Sequence, residues 1–496
     1  MKLYYPVLLC AAAFAATEPD SRLLDAARRG DAAAVRQLLN QKADVHSKAP
    51  DGSTALHWAV ERDDAESAAA LLAKGADANA ANLHGATPLY LACLNGSAAM
   101  IDRLLKAGAD PNLSSPEGET PLMTVARTGR QDAVKLLLTR GVDVNRKEAW
   151  RGQTALMWAA AEGHAGVVEQ LIEFGADHRA RSNGGFTPLL FAAREGHIAV
   201  VRTLLKNGAD VNDALPARTR RPAGASTTEP GNIKAGTTAL HLAVANAHFE
   251  LAAALLDAGA NPNADGPGWT PLHTLTWVRK PGTGSNDPAP AGSGSMDSLT
   301  LARKLVAKGA KLNARMTVKS NAGLSALNTV GATPFLMAAR CADAEYMRLL
   351  ASLGADPLLP NEDGTTPLMV AAGVGTRSPN EDAGTESEVL EAVKVALELG
   401  NDINAVDKNG DTAMHGPAYK HLPAVVLLLA DKGARIEVWN RKNKQGWTPL
   451  RIADGVNRTG NLRLSPPTAA ALRKVMKAAG VSTDLEPLPE GPTTVR

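Results

Sequence analysis

The sequence predicts an all-α repeat solenoid, a stack of helix pairs running along nearly the whole 496-residue chain. Three observations carry this expectation. A segment close to G-x-T-[PA]-L recurs in register, led by Gly52, Gly85, Gly118, Gly152, Gly185, Gly236, Gly268, Gly331, Gly364, Gly410 and Gly446. Each copy continues into an alanine-rich stretch and then a leucine-rich one, and most end on a G-A-D-x-N-like turn such as Gly208-Ala209-Asp210-Val211-Asn212. The composition fits thin layers better than one large core: 45% of residues are apolar, yet only 4% are aromatic. Chains built this way bury apolar surface by stacking neighbours, since no single unit can close a core alone.

The parts of the repeat follow in order. Threonine at an N-cap accepts a bond from an orphan backbone N–H, and proline suits the first helical position. Seven copies have that proline: Pro88, Pro121, Pro188, Pro271, Pro334, Pro367 and Pro449. The second helix carries branched apolar residues at helical spacing, as in Val200, Val201, Leu204 and Leu205, and stops at a glycine able to adopt the left-handed cap. This pattern resembles the ankyrin-repeat family, whose T-P-L-H-x-A signature recurs every 33 residues or so. The resemblance covers about residues 21 to 480. It implies an ankyrin array of about eleven full repeats plus an N-terminal cap, with short β-hairpins between helix pairs.

The ends depart from the repeat, as a solenoid requires. Residues 21 to 45 read as a capping helix pair whose exposed side carries Arg22, Asp25, Arg28, Arg29 and Asp31. Ala469 to Ala479 reads as a basic amphipathic cap, and the Pro- and Thr-rich residues 481–496 as a disordered tail. The array divides into a regular half, 21–213, and a half decorated with insertions, 214–480. Insertions at about 214–235 and 316–330 fall in the hairpin region, and those at 279–297, 376–387 and 455–467 interrupt the helix-to-helix turn. They read as flexible loops, so proteolysis is expected first near Arg218 to Arg221, and deletion of 283–295 is expected to leave melting nearly unchanged.

Charge and targeting narrow the function classes. Lys and Arg total 53 against 51 Asp and Glu, so no global field draws the chain to nucleic acid or acidic membranes. Met1-Lys2, an apolar stretch from Leu3 to Phe14 and Ala13-Phe14-Ala15 read as a signal peptide, residues 1–15, with cleavage after Ala15. Leu9 ahead of Cys10 argues against a lipoprotein site. The expected location is exported, periplasmic or secreted, and the alanine- and arginine-rich composition leans bacterial. No later stretch is apolar enough for a transmembrane segment. Cys93 and Cys341 lie in distant repeats, so a disulfide between them is not expected.

No catalytic, cofactor or metal residues are assigned. The chain lacks a P-loop, H-E-x-x-H, C-x-x-C and G-x-S-x-G. His57, His241, His273 and His415 follow T-[PA]-[LM], and the resemblance implies a structural role bonding backbone and threonine; His164 and His197 are read the same way, while His84 is more open to binding. Cys93 reads as a buried hydrophobe, and Cys341, nearer the exposed first-helix positions, leaves a reactive thiol open. Sequons stand at Asn95 and Asn457.

The expected function is a non-catalytic protein–protein interaction scaffold using the concave surface of hairpin tips and first helices, as the resemblance implies. A peptide, glycan or cell-wall binding module is the alternative, and an enzyme with its site in the insertions a remote one. The partner is an unidentified protein, no nucleic acid and no cofactor are expected, and the chain is expected to be a monomer. Trp269 and Trp277 centre the candidate partner-binding site. Trp269, Trp447 and Phe186 fill the position between Gly and Thr, expected to face the groove, and Trp150 and Trp439 are further candidates. Trp58 and Trp158 follow T-A-L-[HM] and read as core. Folding of the 279–297 insertion over Trp269 and Trp277 is the competing reading.

Overall fold

A computed structural model describes residues 21–217, 234–281, 290–319, 327–376, 379, 383–458 and 461–484. The signal-peptide reading, the arginines at 218–221 and all but the first residues of the expected tail lie outside them. The chain forms two compact units, Met1–Pro188 and Leu189–Arg496. Among the described residues there are twelve helix pairs and one single-turn helix, Ile436–Trp439. The first pair is the expected N-terminal cap, Arg22–Arg29 with Ala32–Asn40; the last is Pro449–Asp454 with Pro466–Ala478. The expected C-terminal cap is therefore the second helix of the last repeat.

Local rules set each first helix. Thr87, Thr120, Thr154, Thr333 and Thr448 sit in extended backbone and accept the N–H three residues on, and proline follows at the first helical position in most copies. The turn into the second helix is capped again by an acid or hydroxyl, as where Asp31, Asp64, Ser97, Asp343 and Thr385 accept first-turn N–H groups. In the first unit Leu56, Leu71, Leu104, Val134, Leu137, Val168 and Leu171 are fully buried between layers. In the second, Leu255, Leu272, Leu305, Phe335, Leu350, Leu368, Val393 and Leu472 do the same. Each such side chain contributes about 1.5–3 kcal/mol by burial.

The expected hairpins between pairs are not β-ladders. Most loops are closed by a backbone bond across them, for example Ala49 N–H to Ser53 O at 2.8 Å, Ser182 to Phe186 at 2.9 Å and Asn443 to Trp447 at 3.0 Å. Among the described residues only isolated bridges, Lys48 with Thr54 and Ala214 with Thr238, have strand geometry there. The reason lies in the Asp-x-Asn signature. Asp143 Oδ1 accepts the N–H of Asn145 at 3.0 Å, closing an Asx turn in place of strand pairing. The asparagine then clamps the next repeat: Asn145 Nδ2 donates to Gly175 O at 3.0 Å while its Oδ1 accepts the Asp177 N–H at 2.8 Å. Asn79 and Asn263 make the same two-bond clamp to their following repeats. The one two-stranded ladder among the described residues, Val456–Arg458 against Asn461–Arg463, forms within the last insertion.

Three insertions are partly built into the second unit. Met316 N–H donates to Ala332 O at 2.9 Å and Thr317 N–H to Gly268 O at 3.0 Å, so the arms of the 316–330 insertion hug the adjoining repeats. Residues 290–297 were expected to be a flexible loop, yet they are tied down. Ser293 Oγ lies 2.9 Å from His248 Nδ1, and Ser295 donates to Glu250 Oε1 through N–H at 2.8 Å and through Oγ at 2.9 Å. Serine and glycine, which read as linker residues, here supply hydroxyls and close approach. In the 376–387 insertion the buried Lys420 ammonium donates to Ala383 O at 2.8 Å.

Candidate functional site

The T-x-x-H histidines show how the repeat fixes its polar groups. Thr270 N–H points at His273 Nδ1 at 3.2 Å, so that nitrogen accepts and the proton resides on Nε2. Nε2 donates to Ala332 O of the following repeat at 3.1 Å. His57 and His241 repeat the geometry with Ala86 O and Trp269 O. Burial disfavours the charged ring and lowers His241, His273 and His415 to about 4, and lowers His57 as well. His57, His241 and His273 are ties between repeats with both nitrogens committed, whereas His415 accepts the Thr412 N–H at 3.1 Å on Nδ1 and its buried Nε2 meets no partner among the described residues. His164 Nε2 donates to Arg127 O at 2.9 Å in the same spirit.

Other reactive-looking groups are enclosed. Cys93 is fully buried, which pushes its thiol up. Cys341 is also buried, at 5% exposure, so the accessible thiol left open for it is absent; it caps the Pro334–Arg340 helix, facing packed neighbours. Asp407 is buried and its carboxyl raised by burial, but it accepts Thr365 Oγ1 and the Asn409 and Asp411 N–H groups as a loop clamp. Asn95 Nδ2 donates to Val60 O and Glu61 O, both at 3.0 Å, so a glycan there would break two repeat-to-repeat bonds. Among the described residues no group of His, Cys, Asp and Glu could hold a metal ion, and no helix is long and apolar enough to cross a membrane.

The candidate partner-binding residues fare differently from one another. Trp269 and Trp277 meet edge to face, with centroids 5.3 Å apart, and the Lys234 ammonium lies 4.6 Å from the Trp269 ring centre. Both rings are half-buried against Met316, Leu327, Leu336, Met337 and Val370. Among the described residues, the insertion that packs against them is 316–330, through Met316 and Leu327. Phe186 and Trp447 are buried, and so are Ser53, Thr237 and Thr365 at the same position between Gly and Thr. That position therefore differs in exposure along the chain, since Ala86, Glu119, Gln153, Trp269 and Asp411 there are half-buried. At Phe186 and Trp447 the carbonyl accepts the N–H of Ser182 and Asn443 and closes the loop around these two rings. Trp439 is fully buried too, because the residues that should form the Asp-x-Asn turn wind into the Ile436–Trp439 helix, where Trp439 Nε1 reaches Ala434 O at 3.3 Å. Only Trp150 is open to solvent, at 74% exposure, with the Arg151 guanidinium 4.5 Å over its ring.

Trp58 and Trp158, read as core from sequence, are half-exposed on the first helices. Each lies under an arginine from the end of the preceding first helix: Arg28 at 5.2 Å and Arg127 at 4.9 Å. An arginine recurring one repeat ahead of a tryptophan is a signal the sequence carried. Stacking covers the guanidinium face, and the edge of Arg127 also lies 3.9 Å from a Glu119 carboxylate oxygen.

Models of the ankyrin-repeat family match this chain at residues 23–115 and 122–214 for one and 189–256 for another. The crystal structure of the human ASB11 ankyrin repeat domain is similar to it at 29% identity, covering 48% of this chain and 98% of that chain, with a TM-score of 0.40. The chain has the ankyrin-repeat fold, and the matched segments belong to the ankyrin-repeat family. Ankyrin repeats are general protein–protein interaction modules.

Proposed function

We propose that this protein is a non-catalytic binding scaffold for a protein partner, acting after export to the periplasm or the extracellular space. The observation that carries the reading is the distribution of open aromatic rings in the first unit. Trp150 at a loop tip and Trp58 and Trp158 on first helices are its exposed or half-exposed tryptophans, each under an arginine. Aromatic residues and arginine are the side chains most enriched in interface hot spots. The Trp269–Trp277 pair, half-buried under Met316 and Leu327, offers a smaller second contact.

Affinity capture from the exported fraction with the full chain tests the proposal. A stoichiometric protein partner, lost from the Trp58→Ala/Trp158→Ala variant while folding is retained, is the expected result. Retention on wall polymer without a protein would favour the glycan or cell-wall module. A mature N-terminus with residues 1–15 intact in the cytoplasm would remove the export part of the proposal.

A further inference from the structure

Two adjacent loop tips in the first unit form a basic surface around the most open aromatic ring there. The tips are joined: Asn183 N–H donates to Arg151 O at 2.7 Å, Asn183 Nδ2 to Trp150 O at 3.0 Å and Lys147 Nζ to Arg181 O at 2.7 Å. They carry Arg146, Lys147, Arg151, Arg179 and Arg181, five cations against Asp143, Glu148 and Asp177. The three carboxylates are turned to their own backbone. Asp143 and Asp177 each accept an N–H within their Asx turns. Glu148 is buried and accepts the N–H groups of Trp150, Arg151 and Gln153 at 2.6 to 2.9 Å. That buried carboxylate holds the loop so that the Trp150 ring stands out at 74% exposure. Arg146 meets Ser114 Oγ at 3.4 Å, Lys147 a carbonyl and Arg151 the indole face; neither these three nor Arg179 meets a carboxylate among the described residues.

We propose that the Trp150 tip surface binds an acidic protein segment, carboxylates engaging Arg151, Arg146 and Arg179 around an apolar side chain laid on the indole. The proposal rests on the scaffold reading and names the chemistry of its partner. Charge complementarity selects the occupant. Exposed cations with no ion-pair partner attract carboxylates, and an arginine stacked on a ring presents a planar, preordered fork to them. A single ring among the cations suits one apolar anchor. Single-stranded nucleic acid is held instead by successive stacking rings.

The probe is a fluorescein-labelled peptide of alternating Glu and Asp around one central Phe, titrated with the full chain by anisotropy. Binding that weakens as salt rises is expected, with affinity falling about tenfold or more in Trp150→Ala and in Arg151→Glu. The side chain of Trp150 is mostly solvent-exposed, and unchanged circular dichroism melting confirms that each variant folds. Overturning results are equal binding of a Lys-for-acid peptide, affinity untouched by both substitutions, no binding of the acidic peptide, or tighter binding of an oligothymidylate. A captured protein partner that survives Trp150→Ala would overturn this surface while leaving the scaffold reading intact.

Discussion

Mild acid should unlock the second unit through its buried T-x-x-H histidines. His241, His273 and His415 have folded pKa values near 4 because burial penalises the charged ring, against 6.5 when unfolded. The folded pKa is depressed, so the unfolded state takes up protons that the folded state refuses. The stability these rings contribute is complete above pH 6.5 and drains away as pH falls toward 4. At about pH 5 each ring contributes roughly 2 kcal/mol less than at neutrality, so three contribute about 6 kcal/mol less, with close to three protons bound on unfolding. Protonation has a structural cost as well, because Nδ1–H of His273 would face the Thr270 N–H donor. Urea unfolding followed by circular dichroism between about pH 5 and pH 7 gives the linkage slope. Carboxylates held low, such as Glu388 at about 2 beside Lys280, lose their contribution only below this window. A His273→Gln variant should take up about one proton fewer. Uptake below about one proton near pH 5 in the parent would refute the burial argument.

Other expected outcomes follow from single contacts. Asn263→Ala removes the bonds to Gly309 O and from Lys311 N–H and should lower unfolding stability by about 2 kcal/mol, read from the urea midpoint. Trp269→Ala opens the cluster of Met316, Leu336 and Met337 and should cost about 2–3 kcal/mol, whereas Lys234→Ala should cost under about 1 kcal/mol; thermal melting separates them. Cys93 and Cys341 should be inert to Ellman's reagent in the native protein and react together only on unfolding; rapid native labelling of either would contradict their burial.

The sequence was most legible where one residue type has one physical use. Threonine before proline announced helix starts, and the helices begin at Pro88, Pro121, Pro271, Pro334, Pro367 and Pro449. The T-x-x-H ring was readable as structural because its partners are near in the chain or fixed by the period. It was least legible where a side chain's environment comes from the next repeat. Trp447 and Trp58 look alike as lone aromatics, yet one is buried by loop closure and the other half-exposed under Arg28. The Asp-x-Asn turn announced a bend but not the clamp across repeats, since Gly175 and Asp177 lie about thirty residues beyond Asn145. The Trp269–Trp277 cover came from the insertion distant in sequence, through Met316 and Leu327, and no local pattern points there.

The decorated turn at residues 279–297 poses the sharpest conflict between composition and structure. Its Pro, Gly and Ser content reads as linker, which predicts that deletion is nearly silent. In the folded unit, however, Gly292 approaches so closely that a Cβ would stand 2.5 Å from Ala247 O, and it holds a positive φ of 66°. Ser293 and Ser295 then reach His248 and Glu250 at the start of the Phe249–Asp257 helix. That helix start has no side-chain cap of its own, since His248 spends its ring on Arg194 O and Ser293. The insertion thus secures a helix terminus that the repeat leaves weak. Deleting 290–296 should therefore lower the melting temperature and raise amide exchange at residues 247–251, and Ser293→Ala/Ser295→Ala should reproduce part of the effect without shortening the chain. Unchanged melting and unchanged exchange at those amides in the deletion variant would mean that the segment rests on the repeat without supporting it.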